Sequence, residues 1–343
     1  MLRRRPQTGP IDEARIASLL APLARAKGLL LAVSGGPDST ALLIMTSLWA
    51  AAGGRPRVEV ATVDHGLRQE SREEAEAVGE HARRRGFKHH LIVWPGAKPS
   101  SRIQELAREA RYRLLAERAR ALGLDHIVTA HHADDQCETV LFRLLRGSGP
   151  SGLRGMEAMT ERHGVQLARP LLGLPKADLV DFCLAHGENF VEDPANADPR
   201  YARTQMRRLS ALLASEGFGA ADVARLSRRA GRMEEVVAQA TRRAGRRLKL
   251  SKSNGLYAAK ALFGEPDEVV FRLLAGEIAR IGESEPRRIR LEKIEALGAA
   301  LRKSAAGGKA FAATLAGASV KLSPNGELSI KKAPPRRRDS GNI

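Results

Sequence analysis

Cysteine is nearly absent from this chain of 343 residues, with Cys137 and Cys183 the only two. They are far apart and form no C-x-x-C pair, which leaves no basis for a disulfide framework or a cysteine-ligated zinc site. Aromatic residues make up only 4% of the chain, so leucine, valine and alanine must fill the core that a 43% hydrophobic fraction allows. No apolar run is long enough to span a bilayer, and no apolar stretch follows the basic start Met1 to Gly9, so neither a membrane span nor a secretory signal is expected. Negative charge is also scarce: 39 acidic residues face 57 basic ones, a net charge of +18. Such a balance favours a polyanionic partner, nucleic acid or a membrane surface. A reduced, cytoplasmic protein is the expectation, and the chain shows no internal repeat.

Against these absences stands Ser34-Gly35-Gly36-Pro37-Asp38-Ser39. An apolar run, Leu29 to Val33, precedes it and a helix-like run from Thr40 follows, the order of strand, glycine loop and helix start. Two glycines let a ligand approach the backbone. The free N–H groups of a first helical turn, at the positive end of the helix dipole, attract an anion. Asp38 is placed to hold a magnesium ion against phosphate oxygens, and the two serines add hydroxyl donors. The common nucleotide loop G-x-x-x-x-G-K-[ST] needs a lysine that is missing here. An ordinary tight turn is the bland alternative, and the serines and Asp38 weigh against it. The stretch resembles the SGGxDS loop of ATP enzymes that cleave between the α- and β-phosphates, which implies AMP and pyrophosphate as products.

Further strands are expected at Val58 to Val63, His90 to Trp94, His126 to Ala130 and Val165 to Ala168. Helices are expected at Ile11 to Lys27, Ser71 to Arg85, Arg102 to Leu122, Asp134 to Leu145, Pro175 to His186 and Arg200 to Leu213. A flexible link is expected around Gly147 to Gly152. Strands alternating with helices argue for a parallel, doubly wound α/β sheet with ligands beyond the carboxyl ends of the strands. Polar clusters lie at three such ends: Ser34 to Ser39, Asp64 to Arg68, and His131 to Glu138. Residues 1–215 read as a catalytic domain and 216–332 as a smaller, mainly helical α+β domain, with a hairpin turn at Ser323-Pro324-Asn325-Gly326. Residues 333–343 read as a disordered basic tail.

Three constellations carry chemistry. Asp134 and Glu138 share a helix face beside Asp135, after His131 and His132; carboxylates there suit magnesium better than zinc. A helix cap is the bland role for Asp134. Arg108 and Arg111, three apart on one helix, match a phosphate or carboxylate clamp, although a solvated charged face is the commoner fate. The run from Glu192 through Asp193, Pro194 and Asn196 to Arg203, Arg207 and Arg208 offers basic groups to RNA phosphates or developing charge.

The ordered set SGGPDS (34–39), VDHGLR (63–68), AREARY (107–112), TAHHADDQCET (129–139) and EDPANAD (192–198) resembles the tRNA(Ile)-lysidine synthetase family over roughly the first two-thirds of the chain. One departure is Thr204, where the family usually has Asn after Arg203. The resemblance implies a PP-loop ATP pyrophosphatase fold and a two-step reaction. ATP adenylates C2 of the wobble cytidine in a CAU-anticodon isoleucine tRNA, and the ε-amine of free L-lysine then displaces AMP. It nominates Asp38, Arg111, Asp134, Asp135 and Arg203 as catalytic. Ser34, Gly35, Gly36, Pro37, Asp38, Ser39, Asp64, His65 and His131 are nominated for ATP, and Asp38 and Asp135 for Mg²⁺. The partners expected are that tRNA and lysine, no membrane, with a homodimer as a candidate assembly. The C-terminal region is assigned to tRNA by analogy and charge. Lysine's amine has a pKa of about 10.4, so its neutral form at pH 7 costs roughly 4–5 kcal/mol; Asp134, Asp135 and His132 are the candidate bases.

Two other classes compete. A tRNA sulfur-transfer enzyme of the same ATP class calls for reactive cysteines, often paired. A non-enzymatic basic RNA-binding protein explains the charge but leaves the three strand-end clusters without a role.

Overall fold

The computed structural model describes residues 10–66, 71–96, 103–188, 190, 202–248, 255–284 and 289–334, the side chains at 71, 104 and 202–204 excepted. Two compact units emerge: Met1–Gly147 with Gly152–Arg228, and Ser148–Ser151 with Arg229–Ile343.

In chain order the first elements are α1 (Glu13–Leu20), β1 (Gly28–Ala32), α2 (Pro37–Ala51), β2 (Arg57–Asp64), α3 (Ser71–Arg84), β3 (Lys88–Val93), α4 (Ile103–Ala121), β4 (His126–Val128) and α5 (Ala133–Leu145). Then come α6 (Pro150–Leu153), β5 (Met159–Arg162), β6 (Val165–Ala168), α7 (Lys176–Ala185) and α8 (Ala202–Ser215). The sheet order is β3-β2-β1-β4-β6-β5. The first five of these are parallel, as the alternation of strands and helices predicts. Strand β1 shows why its sequence is uninterrupted leucine. Leu29 and Leu31 enter a core with Leu20, Leu42 and Leu179, whereas Leu30 enters a second core with Tyr112, Leu115 and Leu167. A parallel strand covered on both faces has no polar side to show.

Three expectations need correction. Helix α1 stops at Leu20, and a 3-10 turn over Ala21–Leu23 replaces the run expected to reach Lys27; Pro22 has no N–H to continue the helical ladder. Part of the expected flexible link forms the single turn α6. An unforeseen strand, β5, closes the edge antiparallel to β6, pairing Met159 with Ala168 and Arg162 with Val165.

The remaining elements are α9 (Ala220–Arg247), β7 (Leu256–Ala258), α10 (Ala259–Phe263), α11 (Asp267–Ile281), α12 (Leu291–Ala306), β8 (Phe311–Leu315), β9 (Ala318–Leu322) and β10 (Glu327–Lys332). The four strands form an antiparallel sheet, β7-β10-β9-β8. Leu273, Ile278, Leu297, Leu301, Val320 and Leu328 belong to its core. The expected hairpin is present: Gly326, with φ +79°, donates its N–H to the Ser323 carbonyl at 3.0 Å. Among the described residues no helix is long and apolar enough to cross a membrane.

Candidate active site

The glycine loop leaves β1 and enters α2. Gly35 has φ +88°, and a Cβ there would lie 3.2 Å from Val78 Cγ2 of α3, so both conformation and space call for glycine. Gly36 is the N-cap of α2 with no side chain capping it, and Pro37 follows at the first turn, where its missing N–H is harmless. Ser39 braces this turn from inside. Its hydroxyl accepts from the Ser34 N–H at 3.1 Å and donates to the Gly36 carbonyl at 3.0 Å. The Ser34 hydroxyl lies 3.4 Å from it. The first-turn amides of α2 thus sit on a rigid loop, the setting for an anion.

Beside the loop, β4 ends and α5 begins at the buried His132. Its Nε2 is 3.5 Å from Asp38 Oδ2 and 3.4 Å from Asp135 Oδ2, and its Nδ1 is 3.4 Å from Asp134 Oδ2. Burial opposes charge on this ring, yet hydrogen bonding to Asp134 and Asp38, with the charge of Asp135, raises its pKa to about 10. At neutral pH both ring nitrogens carry protons, so Nδ1 donates to Asp134. The alternative, in which the Asp134 N–H approaches Nδ1 at 3.2 Å as a cap, requires the neutral ring. While these carboxylates carry no metal, His132 is thus a poor base at neutral pH.

The three carboxylates differ. The Asp134 carboxyl is held below its usual range, first by His132 and, against the effect of burial, by the Lys176 N–H, which donates to Oδ2 at 2.8 Å. The cap expected of Asp134 is thus supplied to the start of α7. Asp135 Oδ2 accepts the His132 N–H at 3.2 Å. Asp38 Oδ1 is buried with no hydrogen-bond partner, an arrangement that calls for a ligand. Among the described residues no group of three or more metal-ligating side chains occurs. Magnesium does not need one, since it takes one or two carboxylates and completes its shell with phosphate oxygens and water. Asp38 and Asp135, joined through His132, fit that pattern.

The other nominated residues are placed as follows. His131 is buried; its Nε2 lies 3.5 Å from an Arg108 nitrogen and its Nδ1 2.8 Å from Thr129 Oγ1. Arginine can only donate, so Nε2 accepts and Nδ1 carries the proton. Thr129 passes the chain on to the Ala168 carbonyl at 3.3 Å. Asp64 Oδ1 accepts from the Gly66 N–H at 2.8 Å, and His65 meets Trp94 edge-on at 5.8 Å. Arg111 is half-buried, its guanidinium carbon 5.3 Å from the Tyr112 ring centroid. Leu67, Arg68 and the run 191–200 lie outside the described residues, as do the side chains of Arg203 and Thr204.

Two groups have partners that the sequence did not announce. Glu138 is buried and accepts from Arg207 Nε at 2.9 Å, tying α5 to α8; a carboxylate on one helix and an arginine on another carry no local signal that they meet. Arg169 is buried just past β6, donating to the Glu157 carbonyl at 2.8 Å and Thr160 Oγ1 at 3.2 Å. Its position at the carboxyl end of an apolar strand is the same signal that marked the other clusters. Both cysteines are free and buried. Burial pushes the Cys137 thiol up, and Cys183, whose Sγ is 3.4 Å from the Pro37 carbonyl, is pushed up to about 11.

Comparison with known proteins adds four findings. The PP-loop domain matches residues 9–212. The tRNA(Ile)-lysidine synthase of Methylobacterium nodulans is 47% identical over 323 residues, 91% of this chain and 92% of that protein. The enzyme of the same name from Bradyrhizobium sp. is 44% identical over 348 residues, 96% of each chain. Among solved structures, the U34-tRNA thiolase NcsA from Methanococcus maripaludis, with its [4Fe-4S] cluster, superposes with a TM-score of 0.56 at 13% identity, covering 63% of this chain and 77% of that one. At that identity the likeness concerns the fold alone.

Proposed function

This chain belongs to the tRNA(Ile)-lysidine synthase family, and from that premise we propose that it joins free lysine to C2 of the wobble cytidine in a CAU-anticodon isoleucine tRNA. It is an ATP-binding, tRNA-modifying ligase. The finer course we propose is adenylation of the cytidine with release of pyrophosphate, followed by displacement of AMP by the lysine ε-amine. The observation that carries this reading is the convergence of Asp38, Asp134 and Asp135 on His132, where the ends of β1 and β4 adjoin the glycine loop.

The loop amides and the start of α2 hold the phosphates. Asp38, through its unpartnered Oδ1, and Asp135 are the groups to hold Mg²⁺, which when bound neutralises phosphate charge and steadies the pyrophosphate leaving group. His132, in contact with all three carboxylates, fixes their spacing. Asp134, with its carboxyl held low and engaged by His132 and Lys176, is a weak base. Asp135 is assigned to the metal and to contact with the incoming lysine amine. Arg111 and Arg203 are assigned to the charge that develops during transfer.

Buried cysteines with raised pKa values weigh against the sulfur-transfer alternative, because a reactive thiol needs exposure and a lowered pKa. The test is incubation with ATP, radiolabelled lysine and CAU-anticodon isoleucine tRNA. Label entering the tRNA only with ATP, with AMP and pyrophosphate released, is the expected result. Binding without incorporation overturns the reading in favour of an RNA-binding role.

A further inference from the structure

The AREARY stretch folds into something its sequence does not announce. Tyr112 is 1% exposed and lies among four arginines drawn from three elements. Arg162, at the end of β5, places its guanidinium carbon 4.1 Å from the ring centroid; Arg108 and Arg111 of α4 stand at 5.3 Å each. Arg169, just past β6, is 7% exposed. The Tyr112 hydroxyl and Arg169 Nε are both buried and make no hydrogen bond of good geometry, although the hydroxyl is near enough to Arg111 and Arg169 to interact with both. Cations gathered this closely repel one another unless a group of opposite character stands among them. One carboxylate, Glu109, meets Arg162.

We propose that Tyr112 is a positioning residue for this ligase: its hydroxyl, buried where Arg108, Arg111 and Arg169 converge, holds the α4 arginines in the orientation that catalysis requires. The inference rests on the function proposed above. Two lines support it. The ring face attracts guanidinium groups, and the hydroxyl offers its lone pairs to the arginine N–H groups around it. Burial would push the phenol pKa up, yet the charges of Arg108, Arg111 and Arg169 bring it below its ordinary value. The hydroxyl therefore has the character of an acceptor. Arg169 is the fixed end of the array, anchored on Glu157 and Thr160. Arg108 is the working end, since it reaches His131 Nε2 and through it Thr129. Tyr112 thus stands between a buried anchor and a histidine adjoining the carboxylate cluster.

A core-filling role predicts otherwise, because phenylalanine would fill the same space among Leu115, Ile127 and Leu167. The experiment is Tyr112→Phe in the full chain, measured for melting temperature, tRNA affinity, and kcat and KM in lysidine formation. The expected result is an unchanged melting temperature and tRNA affinity with kcat reduced roughly tenfold, the worth of one charge-assisted hydrogen bond. Undiminished kcat overturns the proposal, as does a loss of kcat that merely follows a fall in melting temperature. A second reading does not depend on activity. Subtracting the ultraviolet titration of Tyr112→Phe from that of the unaltered protein isolates the Tyr112 phenol, which should ionise below its ordinary value of 10. Ionisation at or above that value overturns the proposal even if no lysidine is formed, whereas an inactive unaltered protein whose Tyr112 titrates low counts against the function and not against the arginine array.

Discussion

His132 Nε2 lies 3.5 Å from Asp38 Oδ2, a link between the loop after β1 and the start of α5 across 94 residues of chain. Through it the phosphate loop and the carboxylate cluster are one assembly, and their variants should behave as such.

Asp38→Ala should abolish lysidine formation while leaving the fold intact. Loss of a group that stabilises transition-state charge lowers kcat by about 100-fold or more, and Asp38 is half-buried at a helix start where alanine is tolerated. Tests are product formation and the melting temperature. A folded variant with near-normal turnover removes the loop from the mechanism.

Asp135→Asn should injure catalysis far more than tRNA binding. The amide can still accept the His132 N–H but no longer binds a cation or takes a proton. Product formation and tRNA affinity are measured separately, and an equal loss in both assigns Asp135 a structural part.

Gly35→Ala should lose ATP use together with about 1–2 kcal/mol of stability, since alanine is strained at φ +88° and its methyl crowds Val78. Chemical denaturation and ATP binding decide. A variant that keeps both would mean that the loop relaxes freely around this position.

A pH-dependent contribution is expected at Glu188, which pairs with Arg85 and lies 3.2 Å from His81 Nε2. Burial opposes its charge, but the Arg85 hydrogen bond and the charges of His81 and Arg85 hold its carboxyl below the usual range. A folded pKa below the unfolded one contributes stability above the ordinary value of 4.5, lost as pH falls through the folded value. Glu188→Gln should therefore be less stable than the unaltered protein at pH 7 and converge with it in acid. A constant difference across that range contradicts the assignment.

The C-terminal region is proposed to bind tRNA outside the anticodon loop, since a cytidine pocket cannot by itself separate this tRNA from a methionine tRNA that shares CAU. Arg242, Arg243 and Arg246 are exposed along the last turns of α9; such charges position phosphate. Val223 is 1% exposed and packs with Val140 and Met206, so truncation should follow Arg228 rather than Ser215. The truncated protein should bind ATP normally and tRNA more weakly, with a shallower salt slope. Unchanged affinity and slope would confine the region to a structural part.

Much of this was readable in the chain because the signals were local. Leu29-Leu30-Leu31 before a glycine loop and a helix-like run read as a buried strand, which put the polar residues just after it at the sheet's carboxyl edge. Ser323-Pro324-Asn325-Gly326 specified its own turn. Strand β5 was hidden because Met159-Thr160-Glu161-Arg162 lacks alternation and gains its pairing only from β6. Arg108 and Arg111 read as a candidate anion clamp, but their neighbours could not be foreseen, because nothing nearby in sequence announces Arg162, Arg169 or His131. The protonation of His132 was equally out of sight, as it comes from carboxylates that the fold brings to the ring.

The seclusion of both cysteines has a practical outcome. With thiols buried and reluctant to ionise at Cys137 and Cys183, maleimide at neutral pH should leave the native chain largely unmodified. A single cysteine introduced on the surface, for example at the exposed Glu295, would then take a fluorophore selectively without prior removal of native thiols. Energy transfer from a dye there to one on the tRNA would report distances in the working complex directly.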